Sequence, residues 1–116
     1  MKSLPKTFQQ FVKKYPAIWR AHDELAQACS EAGPLDRKTR ELIKVGISVA
    51  ARLETAAERH AIMAMENGAT QEEIFQTVLM TMTTCGHPTA AAGFQWVSRA
   101  LERYGKKSGK AAKNKG

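Results

Sequence analysis

His60, Cys85, Arg52, Arg59 and His87 are the residues of this 116-residue chain whose types and spacing invite chemistry. An imidazole moves protons near neutral pH. On a helix through residues 53–60, His60 shares one face with Leu53 and Ala56, because seven residues make about two turns and three make nearly one. It then projects from an apolar stripe, as an acid–base group or as a satisfied core histidine. Arg52 and Arg59 lie seven apart on a face next to that of His60, and they suit either a carboxylate clamp or a solvated surface. Cys85 precedes Gly86 and His87. A helix-end thiol beside an imidazole can react with peroxide, whereas a small hydrophobe closing an apolar stripe needs no chemistry at all. His87 is a further substrate-binding candidate.

No metal site and no cofactor are expected. His22, His60 and His87 show no i, i+4 pairing or other ligand spacing. Cys29 and Cys85 are too far apart in the chain to spell a metal-type Cys-x-x-Cys or a disulfide framework.

The elements that position these residues read as helices. Pro5 suits the first turn of a helix through Lys14, and Tyr15-Pro16 interrupts it. A second helix from Pro16 to Ala32 carries Ile18, Trp19, Leu25, Ala26 and Cys29 at helical spacing and closes at Gly33-Pro34. Asp36 can cap a third, with Leu42, Ile43, Gly46, Ile47, Val49 and Ala50 as its apolar face and Gly46 permitting close backbone approach. A fourth spans roughly Glu54 to Asn67 and ends at Asn67-Gly68. Thr70-Gln71-Glu72-Glu73 has the form of a capping box that starts a fifth. Its stripe of Ile74, Phe75, Val78, Leu79 and Met82 runs to Cys85-Gly86-His87-Pro88. A sixth runs from about Thr89 to Tyr104. No strand pattern and no internal repeat is present. The fold class is all-α: a compact single-domain bundle of about six helices over residues 1–104, followed by a Lys-rich flexible tail at 105–116.

With 43% hydrophobic and 25% charged residues, the composition is that of a globular protein. The net charge of +7 suggests nucleic acid only until it is divided along the chain. Residues 1–20 and 105–116 carry +5 each, while residues 21–104 hold eight bases and eleven acids. Nucleic-acid binding is thus limited to weak contacts of the basic tail. No run of apolar residues is long enough for a membrane span, and no secretory signal pattern opens the chain. With so few cysteines, a reduced, cytoplasmic location is expected.

Residues 35–91, about half of the chain, resemble the core of the carboxymuconolactone decarboxylase family in the alkyl hydroperoxidase D-like superfamily. The resemblance rests on Leu35-Asp36 with Arg40-Glu41-Leu42-Ile43, on His60 followed by Asn67-Gly68-Ala69-Thr70 and Glu72-Glu73-Ile74, and on Cys85-Gly86-His87-Pro88. In hydroperoxidase D-like members a glutamate, a Cys-x-x-Cys and a histidine form a proton-relay and disulfide site. Glu41 and His60 match the glutamate and the histidine, but Leu53 and Ala56 occupy the cysteine positions. The decarboxylase branch also lacks the cysteine pair, and this sequence is more similar to it.

That resemblance implies a small carboxylic-acid or lactone ligand, with His60 as proton donor or acceptor and Glu41 orienting it. It also implies a homo-oligomer, commonly a trimer or hexamer. The alternatives are a peroxide-detoxifying protein that uses Cys85, or a non-catalytic oligomeric module.

Overall fold

A computed structural model describes residues 6–115, with side chains as far as residue 107. The chain divides into two compact units, residues 1–35 and 36–116, between Leu35 and Asp36. Every regular element among the described residues is a helix, as the periodicity requires.

The first unit holds α1 (Lys6–Lys14) and α2 (Pro16–Glu31), joined at Tyr15. Pro16 is tolerated at the start of α2 because its missing N–H has no intrahelical partner there; Pro5 lies outside the described residues. Phe8 meets Trp19 edge to face with ring centroids 4.7 Å apart. No residue of either helix is fully buried. Of the expected stripe on α2, Ile18, Leu25 and Cys29 are exposed. Among the described residues of this unit, the nine-residue α1 is the only other helix available to cover it.

The second unit is built from α3 (Arg37–Ala50), α4 (Glu54–Glu66), α5 (Gln71–Leu79), the single turn α6 (Met82–Cys85) and α7 (His87–Lys115). Asp36 caps α3 by accepting from the Thr39 N–H at 2.8 Å. Thr70 and Glu73 close the expected capping box on α5. The core packs Val45 and Val49 of α3 against Ala57, Ala61 and Ala64 of α4, Ile74 and Val78 of α5, and Val97 and Leu101 of α7. Alanines at i, i+4 and i+7 make α4 slim enough to sit close to its neighbours.

Four readings of the sequence are corrected here. The buried face of α3 is Glu41, Val45, Ser48 and Val49, while Ile43 and Ile47 are exposed. A Cβ at Gly46 would meet Thr77 at an ordinary 3.4 Å, and the close approach falls at Gly93, where a Cβ would overlap Val49. The fifth helix breaks after Leu79 and resumes as α6, so Leu79 and Met82 leave the stripe and are exposed. The last helix also extends beyond Tyr104 to Lys115, through the segment read as a tail. Lysine and alanine are good helix formers, and cations suit a helix C-terminus.

Ion pairs fasten the outside of the unit. Arg99 reaches Glu54 at 2.7 Å and Arg103 reaches Glu58 at 2.9 Å, both between α7 and α4. Lys38 reaches Glu73 at 3.1 Å, joining the start of α3 to the start of α5.

Candidate active site

The site begins with the turn that reverses the chain between α3 and α4. The Arg52 N–H donates to the Val49 carbonyl at 3.0 Å and the Leu53 N–H to the Ser48 carbonyl at 2.8 Å. This is the Schellman pattern, which places one residue in left-handed backbone. Here that residue is Arg52, at φ 60°. The reversal lays α4 alongside α3, so Glu41 and His60 meet although nineteen positions separate them.

Their contact is short, with His60 Nδ1 2.7 Å from Glu41 Oε2. Glu41 is only 7% exposed, whereas the His60 side chain keeps 22% of its surface open. Burial by itself would raise the Glu41 carboxyl. The hydrogen bond and charge of His60, with help from Lys44 and Arg37, outweigh it and hold the carboxyl below its ordinary value. A carboxylate kept ionised can only accept, so Nδ1 carries the shared proton. The carboxylate thereby sets the tautomer and orientation of the ring, leaving Nε2 as the working nitrogen.

A cavity of about 360 Å³ opens at the α3–α4 turn, lined by Arg52, Leu53, Glu54, Thr55 and Ala56; neither Glu41 nor His60 is among its lining residues. Ala56 lies one turn before His60 on α4. Helical side chains lean toward the N-terminus, which is the direction from His60 to Ala56. No side chain caps α4 at Leu53, so the first N–H groups of that helix have no side-chain acceptor from its N-cap. Arg52 donates from Nη1 to Thr89 Oγ1 at 3.0 Å, tying the turn to the start of α7.

The remaining candidates are distributed differently. α4 starts at Glu54, so Arg52 precedes it and the common helical face with Arg59 does not form. Arg59 is partly buried on α4. Cys85 is exposed at the end of α6, not buried as a small hydrophobe, and His87 is exposed at the first residue of α7. Among the described contacts neither is hydrogen-bonded to Glu41 or His60. Thr89 was missed by sequence reasoning: a lone threonine in an alanine-rich helix start carries no signal without knowing where Arg52 reaches. Among the described residues there is no cluster of three metal-ligating side chains and no helix long and apolar enough to cross a membrane.

The profile of the carboxymuconolactone decarboxylase family matches residues 15–99. An uncharacterized protein of Haemophilus influenzae is 35% identical over 99 residues, which cover 85% of this chain and 84% of that one. The apo crystal structure of a carboxymuconolactone decarboxylase family protein from Legionella pneumophila superposes with a TM-score of 0.71 at 29% identity. That match covers 81% of this chain and 87% of the other.

Proposed function

This chain belongs to the carboxymuconolactone decarboxylase family, and we propose that it decarboxylates a small carboxylated lactone or related acid through a His60–Glu41 proton relay. The observation that carries this reading is the 2.7 Å contact between His60 Nδ1 and the buried, ionised Glu41. In the reaction the bond to the carboxylate carbon breaks, carbon dioxide leaves, and the electron pair moves into an enolate. The imidazolium form of His60 then gives its Nε2 proton to the carbon and is left as the Nδ1–H tautomer that the Glu41 carboxylate holds, and a proton from water restores Nε2–H for the next cycle. The substrate carboxylate is assigned to the cavity beside Arg52, with Arg59 and His87 as further binding candidates.

Turnover of a panel of carboxylated lactones tests the relay. His60→Ala should lower it by roughly 10²–10⁴-fold, the usual contribution of a positioned acid or base, and Glu41→Gln should lower it less. Both variants should keep their helical circular dichroism. Full activity in His60→Ala would end this reading.

One observation favours a second reading. The exposure of Cys85 leaves its thiol accessible to peroxide. In that case Cys85→Ser removes peroxide consumption, whereas the decarboxylase reading leaves activity on lactone acids intact in the same variant.

Homo-oligomerisation is part of the same proposal. Ile47, Leu79, Met80 and Phe94 are each more than half exposed, and apolar surface of this kind is commonly covered by association. Light scattering at micromolar concentration should give a multiple of the 12.8 kDa chain mass.

A further inference from the structure

We propose that Arg52 sets the charge preference of the cavity, selecting ligands that carry a carboxylate, and that Thr89 is a positioning residue acting through it. The proposal rests on reading this cavity as the substrate site. Its first support is the backbone of Arg52. A non-glycine residue in left-handed conformation costs free energy that glycine would not, and φ 60° puts Arg52 there. The side chain at this position is therefore retained against a local cost.

Charge on the cavity wall supplies the second support. Glu54 is the one acid among the lining residues, and its carboxylate is drawn to Arg99 at 2.7 Å. Lys38, Arg99 and Arg103 are each neutralised by a glutamate. Arg52 instead bonds a neutral hydroxyl, that of Thr89, so its charge remains uncompensated by that partner. The guanidinium has five N–H donors in a fixed fork, and the bond to Thr89 occupies one nitrogen of it. Thr89 is itself buried near the start of α7, so the hydroxyl anchors the fork at the rim. Leu53 and Ala56 offer apolar surface next to it, which suits a small acid with a hydrocarbon body.

Equilibrium binding of benzoate and of its neutral relative benzamide to the full chain provides the test. The parent protein should prefer benzoate at least tenfold. Arg52→Gly should erase that preference and leave benzamide binding unchanged, while Arg52→Lys retains part of it. Thr89→Val should weaken benzoate several-fold, and the double variant should be no worse than Arg52→Gly alone, because Thr89 acts only through the arginine. A parent with no preference, an Arg52→Gly variant that keeps it or loses both probes equally, or additive losses in the double variant would each overturn the proposal. Neither probe needs proton transfer. Failure to turn over any lactone acid thus removes the relay and leaves this result standing, whereas an active relay with a charge-blind cavity removes only this.

Discussion

The turns at the two ends of α4 do the same topological job with opposite local quality. Both close the preceding helix with Schellman bonds and both lead into a new helix. At the α4–α5 turn every residue suits its place. Gly68 takes the left-handed position at φ 95°, and Thr70 with Glu73 forms a complete capping box. At the α3–α4 turn the left-handed residue is Arg52, and Leu53, the N-cap of the helix that follows, supplies no side-chain cap. The cavity opens on that second turn. Local rules are broken at the end of α4 where the cavity opens and kept at the other end, which is the pattern expected of a conflict between stability and the proposed function.

Substitutions that exchange the character of the two turns should break this comparison or sharpen it. The largest loss is expected for Gly68→Ala. No atom lies within 4 Å of the added Cβ, so the cost is purely one of backbone conformation, about 1–2 kcal/mol in urea denaturation. Removing the α5 cap by Thr70→Ala should cost about 1 kcal/mol. At the other turn, Leu53→Ser supplies the missing cap and should add roughly 0.5–1 kcal/mol. Arg52→Gly should change stability by less than about 1 kcal/mol, because relief of the left-handed backbone is offset by the lost bond to Thr89. A large loss from Arg52→Gly would mean that the arginine serves the fold, and the contrast between the turns would disappear.

Acidification gives the smallest effect, absent at neutral pH. The Glu41 carboxyl is held below its ordinary value of 4.5 in the folded protein. Its stabilising contribution is therefore complete above that ordinary value and is lost as pH falls through the lower folded one. Chemical denaturation from pH 6 downward should show a shallower loss in Glu41→Gln than in the parent. Asp36 and Glu73 are also lowered, by hydrogen bonds to Thr39 and Thr70 respectively, and will contribute slope of the same sign in both proteins.

Much of this molecule was legible before any coordinates. Helical periodicity, the Asp36 cap, the Asn67-Gly68 stop and the Thr70–Glu73 box are local signals, set by which side chains satisfy the backbone groups of the nearest turn, and each reappears in the structure. The pairing of Glu41 with His60 came from the resemblance to the family, and the fold places the two side chains in contact. Other features depend on which surfaces meet. The isoleucines of α3 obey helical spacing as well as Val45 and Val49 do, yet the packing of α4, α5 and α7 buries only the valines. Gly93 is no different from Gly46 in sequence, and only the position of Val49 makes it indispensable. The partnership of Arg52 with Thr89 spans 37 positions and two helix ends. Local patterns determined the helices and most of their boundaries because hydrogen-bond satisfaction acts within a turn; tertiary packing alone decided which face is buried and which distant side chains converge, because those outcomes depend on atoms that the neighbouring sequence does not contain.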